Sequence, residues 1–160
     1  MTQQELKELL HYDQDTGIFT WLISRGNIKN GKKINNSAFY YTNIKINKKS
    51  YRAHRLAWLY VYGFMPTNQI DHINGNKSDN RICNLREVTN QQNQFNSPVR
   101  KDNKSGIKGV HWHKKQSKWV ANLHINGKQK QLGSFDNLEE AEKVISEARK
   151  LHHGEFSREK

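Results

Sequence analysis

A basic chain of 160 residues, with 27 Lys and Arg against 15 Asp and Glu for a net charge of +12, holds one ordinary domain or two small ones and excludes a large multidomain enzyme. Hydrophobic residues make up 34%, and no apolar run approaches the roughly 20 residues that cross a bilayer, so no membrane association is expected. The single Cys83 excludes an internal disulfide and a cysteine-held zinc, leaving any metal to oxygen and nitrogen ligands.

Met1-Thr2-Gln3-Gln4 lacks the apolar stretch of a secretory signal, which points to the cytoplasm. The charge excess points to a polyanionic partner. Thr2 and Glu5 have the spacing of a capping box, and residues 2–11 predict a short helix with Leu6, Leu9 and Leu10 on one face. Asp15-Thr16-Gly17 turns the chain into a strand over 18–21, and residues 24–37 read as a basic surface loop. Segments 39–46 and 50–53 flank Asn47-Lys48-Lys49 as a hairpin. Residues 54–64 follow as a buried packing helix ended by Pro66, with His54 read as structural.

The most informative stretch runs from Gln69 to Asn93. Ile70-Asp71-His72 ends a strand, an Asn- and Gly-rich loop follows, Leu85 to Val88 returns as a strand, and Thr89 with Gln92 starts a helix that carries Asn93 one turn in. Beyond it, residues 98–106 are polar and basic and read as a linker. Strands are expected over 109–113, 118–125 and 128–135, the last two joined at Asn126-Gly127. Asn137 and Glu140 open a final helix with Leu138, Ala141, Val144, Ile145, Ala148 and Leu151 at helical spacing.

Phosphodiester hydrolysis requires a base for water, a cation for the leaving oxygen and groups that hold both steady. Asp71, His72, Asn84 and Asn93 can supply them, and a carboxylate beside an amide oxygen is hard-ligand chemistry suited to magnesium. Read alone, the same residues would also make an Asx-rich turn with His72 as a satisfied polar side chain. The spacing from Asp71 to Asn76 does not fit a calcium loop.

Residues 69–97 resemble the ββα-metal motif of the HNH nucleases, in the subtype of phage and intron-encoded homing endonucleases. The resemblance extends through Tyr51-Arg52-Ala53-His54-Arg55-Leu56-Ala57-Trp58 and His11-Tyr12-Asp13 to Trp21. It implies that His72 is the general base, that Asp71 and Asn93 hold one Mg2+ (or Mn2+) per active site, and that Asn84 fixes the histidine through a hydrogen bond. Many family members carry His at the last position, so Asn93 makes this a His-Asn-Asn variant. Cleavage would leave a 5′-phosphate and a 3′-hydroxyl.

In the carboxy-terminal sheet, alternation puts Trp119, Ala121, Leu123 and Ile125 on the face that packs on the helix, with Val110 and Trp112 inward in the preceding strand. Residues 98–135 hold nine Lys/Arg and one acid, so the opposite face is expected to meet phosphates. Residues 105–156 resemble the ethylene-response-factor (Apetala-type) DNA-binding domain through Gly109-Val110, Lys118-Trp119-Val120-Ala121, Leu132-Gly133-Ser134-Phe135, Glu140-Ala141 and His153-Gly154-Glu155-Phe156. On that resemblance Lys108, His111, His113, Lys115, Lys118, Asn122, His124, Gln129 and Gln131 contact duplex DNA, in a ribbon narrow enough for the major groove.

The two resemblances together imply an α+β protein. A ββα-metal (His-Me finger) nuclease core with amino-terminal strands and helix occupies 1–97, a linker 98–106, and a three-stranded antiparallel sheet packed on one helix 107–160. The expected activity is site-specific DNA endonuclease of homing type, nicking or cutting both strands. The partner would be double-stranded DNA, met as a monomer or DNA-induced dimer with no protein partner evident, in the host cytoplasm if a phage encodes the chain. The alternative is a non-catalytic DNA-binding regulator on a decayed nuclease fold. An RNA-binding role lacks an aromatic stacking motif of the recognition-motif type.

Overall fold

The computed structural model describes residues 1–34, 40–125 and 127–157, and the chain divides into two compact units, Met1–Thr89 and Asn90–Lys160. In the first unit, helix α1 (Gln3–Leu9) begins at the expected capping box: Thr2 Oγ1 accepts from the Glu5 N–H at 3.2 Å and Glu5 Oε2 accepts from the Thr2 N–H at 2.8 Å. The helix stops earlier than its leucine spacing suggests. Leu10–Asp13 instead form β1, antiparallel to β2 (Ile18–Trp21), because Leu10 and Tyr12 alternate into the core opposite Trp21 and Phe19. The turn between them requires glycine. Gly17 has φ +71, and a Cβ there would lie 2.5 Å from the Arg81 nitrogen.

Lys33–Ile34 form β3, which pairs with β2 where the sequence suggested only loop, giving the order β1-β2-β3. Strands β4 (Asn43–Ile46) and β5 (Lys49–Arg52) make the expected hairpin, with Asn47 and Lys48 at positive φ in its two-residue turn. The expected start of that hairpin at Phe39 lies outside the described residues. Helix α2 (Ala53–Tyr62) follows. It ends at Gly63, whose left-handed φ of 86 lets its N–H bond the Leu59 carbonyl, and not at Pro66, which lies beyond an already closed cap. Strands β6 (Gln69–His72) and β7 (Leu85–Val88) pair antiparallel with His72 opposite Leu85, and a 3₁₀ turn at Ile82–Asn84 leads into β7. Leu6, Leu10, Phe19, Ile44, Leu56 and Ile70 lie in the apolar core that joins these elements.

The second unit opens with helix α3 (Asn90–Phe95). Its sheet, β8 (Val110–His113), β9 (Lys118–Ile125) and β10 (Lys128–Phe135), has the order β10-β9-β8 with a bulge between Gln131 and Gly133. Asn103 and Ser105, in the segment expected to link the halves, bond the Ile107 and Val110 carbonyls and fasten the chain to the start of β8. Helix α4 (Leu138–His153) is capped by Asn137, whose Oδ1 accepts from the Glu139 N–H at 2.8 Å. Val110, Ala121 and Leu123 pack on Ala141 and Ile145. Two sequence expectations fail here. Leu151 is 78% exposed because the buried stripe continues from Ile145 to Arg149 and His153 at the 3.6-residue period, which Leu151 misses. Trp112 is 44% exposed on the edge strand, its ring set edge-on to Trp119 at 5.1 Å.

Candidate active site

Asp71 and His72 close β6, both nearly buried at 6% and 3% exposure. The strand register sets Arg86 directly across from Asp71, and its Nε and Nη2 donate to Asp71 Oδ2 at 3.1 and 3.0 Å. That pairing supplies the charge partner a buried carboxylate needs.

The loop from Ile73 to Arg81 is a lattice of amide bonds. Asn84 Oδ1 accepts from the Asn74 N–H at 3.0 Å while its Nδ2 donates to the Asp79 carbonyl at 2.8 Å. Asp79 takes the Arg81 guanidinium through both carboxylate oxygens, at 2.8 and 2.6 Å, and a bond from Asn74 Nδ2 at 2.8 Å. The Arg81 bonds, helped by Asn74, hold the Asp79 carboxyl down at about 2.

The histidine is fixed by Asn80 and not by Asn84. His72 Nε2 lies 3.3 Å from Asn80 Oδ1 in a buried contact. Asn84 sits in the 3₁₀ turn with its carbonyl bound to the Ile73 N–H, so its side chain closes the base of the loop instead of reaching the ring. Asn80 is fully buried, and its carbonyl accepts from the Tyr12 hydroxyl at 2.6 Å. Burial pushes that phenol well above its ordinary range, with the neighbouring Cys83 and acidic groups adding to the shift. The asparagine-rich loop offers several equivalent-looking amides in sequence, and only the fold shows which one meets the histidine.

Burial also lowers the His72 imidazole from its usual value, opposed by the Asn80 bond and the nearby Asp71 and Asp79 carboxylates. His54 of α2, read as structural, stands with its ring 5.1 Å from the His72 ring and edge-on at 81°. Its burial, reinforced by His72, Arg55 and Arg52, pushes it to about 3, so it is a neutral wall of the site. Tyr41 completes the aromatic surround, with its ring 5.1 Å from His54 and 5.9 Å from His72. Neither Tyr41 nor Arg86 is marked by the sequence motif; strand register brings in one and a position just before the β4–β5 hairpin the other.

Asn93 lies on α3, in the second unit. The carboxy-terminal end of that helix is held by Lys108, whose ammonium donates to the carbonyls of Gln94, Phe95 and Ser97 at 2.8, 3.1 and 2.7 Å. Phe95 stacks on His153 at 3.5 Å. Lys108, expected to contact DNA, has its ammonium on these three carbonyls. On the sheet, cross-strand pairing sets His111 and His113 opposite Val120 and Lys118, and Asn122 and His124 opposite Gln131 and Gln129. These side chains share one face. An open groove of about 600 Å³ is lined there by His111, Asn122, His124 and Gln129. Lys118 pairs with Asp136 at 3.1 Å and Lys115 is exposed.

Among the described residues no group of three His, Cys, Asp or Glu side chains could hold a metal ion, and no helix is long and apolar enough to cross a membrane. No solved structure matches the chain. The HNH endonuclease family profile matches residues 51–95, which takes in α2, both strands of the histidine site and α3. Protein 3.8 of Escherichia phage T7 is 35% identical over 111 residues, covering 69% of this chain and 91% of that relative. The chain therefore belongs to the family of phage T7 protein 3.8 and carries an HNH endonuclease domain over residues 51–95.

Proposed function

We propose that the chain is a divalent-metal-dependent, site-specific DNA endonuclease of homing type, acting as a monomer or DNA-induced dimer. The observation that carries this reading is His72, buried at the end of β6 beside Asp71 and held by a fully buried asparagine. A side chain so placed is oriented for one task. With Asn80 Oδ1 as the acceptor, Nε2 carries the proton and Nδ1 is the basic nitrogen that takes a proton from the attacking water. Burial keeps the ring neutral and so ready to accept it.

Asp71 offers a carboxylate and Asn93, by the family pattern, an amide oxygen. This hard-oxygen donor set fits Mg2+ or Mn2+, which keep several waters and share phosphate oxygen with the substrate. Arg86 binds Asp71 through Oδ2, so coordination would use Oδ1. When bound, the cation stabilises charge on the leaving oxygen. Asn84 acts at one remove, by holding the loop on which Asn80 and Asp79 lie.

The second unit would supply site preference, through His111, His113, Asn122, His124, Gln129 and Gln131 with Lys115 and Lys118 at the margin. A three-stranded sheet backed by one helix, with an open groove on its face lined by His111, Asn122, His124 and Gln129, supports that role.

The test is incubation of the full chain with supercoiled plasmid or phage genomic DNA in Mg2+. Nicked or linear product that disappears on chelation, with 5′-phosphate ends on sequencing, is the expected outcome. Tight duplex binding with intact DNA in both Mg2+ and Mn2+ would instead establish the non-catalytic regulator.

A further inference from the structure

Arg52 and Lys77 come from distant parts of the sequence and meet at one aromatic ring. The Arg52 guanidinium carbon lies 4.9 Å, and the Lys77 ammonium 5.1 Å, from the centre of the Tyr41 ring. Both distances fall within the roughly 6 Å over which a ring face attracts a cation. That same ring stands 5.9 Å from the imidazole of His72.

Other cations around the histidine already have oxygen partners. Arg86 is bound to Asp71, Arg81 to Asp79, and Arg55 to the carbonyls of Asn68 and Pro66. Among the described residues, the contacts of Arg52 and Lys77 are with the Tyr41 ring, and no carboxylate pairs with either. Both side chains are exposed. The start of α2, immediately after Arg52, has no side-chain cap and no acidic residue in its first turn, so its dipole adds to the positive field. A π-face positions cations without neutralising them. Two cations within reach of one ring, beside a buried histidine, make a positive region that attracts an anion.

We propose that Arg52 and Lys77, presented by Tyr41, bind the non-bridging oxygens of the phosphodiester that His72 addresses. This rests on the nuclease reading of His72 and adds to it the two groups that would receive the charge developing on the phosphorus-bound oxygens. Arg52 offers a planar fork suited to two oxygens and Lys77 a point charge. Tyr41 is a positioning residue that sets where both cations stand.

The experiment has two arms. In the first, full-length Arg52→Gln, Lys77→Gln and the double variant, checked by thermal melting, are compared with wild type in single-turnover plasmid cleavage at saturating protein. Each single change is expected to slow cleavage about 10²-fold, the scale for removing one preorganised donor to a developing oxyanion. Tyr41→Leu should also slow it, with Tyr41→Phe recovering most of the loss because the ring is kept. Cleavage by Arg52→Gln and Lys77→Gln at the wild-type rate overturns the proposal. In the second arm, Tyr41 ring resonances are followed by NMR during titration with dimethyl phosphate. A saturable shift in wild type and none in the double variant supports the anion site even if no cleavage occurs, in which case only the nuclease reading has failed. Absence of a shift in wild type overturns the anion site itself.

Discussion

The Tyr12 hydroxyl donates to the Asn80 carbonyl at 2.6 Å and so ties the first hairpin of the chain to the residue that holds His72. The amino-terminal β-hairpin is therefore part of the support of the histidine site, although it lies outside residues 51–95, which the HNH profile matches. Tyr12→Phe leaves the buried Asn80 carbonyl without that donor, and an unsatisfied buried acceptor costs about 1–3 kcal/mol. Urea denaturation should show a loss of this size. Cleavage should slow as well, because the loop holding Asn80 loosens.

In the proposed arrangement the contact with Asn80 sets which histidine nitrogen carries the proton. Nitrogen-15 NMR of the imidazole should report the Nε2–H tautomer in wild type and a mixture in Asn80→Ala, since the acceptor at 3.3 Å is then gone. An Nδ1–H tautomer in wild type would show that the basic nitrogen has been assigned to the wrong side of the ring.

The Asp79 clasp gives the loop an acid limit. Its carboxyl is lowered from 3.8 to about 2 by Arg81 and Asn74, so the folded form binds its proton less readily than the unfolded chain. Stabilisation by this group is present above the unfolded value and fades as pH falls through that window toward about 2. In Asp79→Asn the difference in melting temperature from wild type should be largest near neutral pH and should shrink across the same acid range. A gap that stays constant down to about pH 2 would mean the clasp does not titrate as described.

Lys108 should behave as a helix cap. In Lys108→Met, the amides of Asn90 to Ser97 are expected to exchange faster with solvent, because three carbonyls lose a shared ammonium donor. For Lys115→Ala, which is exposed, duplex affinity should fall with its salt slope reduced by about one, the signature of a single lost phosphate contact. If Lys108→Met gives that salt signature with unchanged exchange, the lysine faces DNA after all.

Legibility in the sequence followed the range of the interactions. The Thr2–Glu5 capping box, the Asn47-Lys48 turn and the alternating Trp119, Ala121, Leu123 pattern are local, and each produced the expected element. Asp71 and His72 sit at the end of the strand where the motif spacing put them. The misses came from tertiary context. Leu10 satisfies both a helical stripe and a strand alternation, and pairing with Trp21 decides for the strand. Gly63 ends α2 before Pro66 can, because a left-handed glycine closes the last turn. Asn80 and Asn84 are alike in sequence, and their separate tasks depend on which side of the loop each occupies. Tyr12 meets Asn80 across 68 positions of sequence, a contact that local periodicity does not encode.

The most direct measurement is the single-turnover cleavage rate of full-length His72→Ala against wild type in Mg2+, with folding and duplex affinity checked on both. A general base at this position predicts a loss of about 10²–10⁴-fold at unchanged affinity. Equal rates in the two proteins would contradict the assignment of His72 and, with it, the catalytic reading of this site.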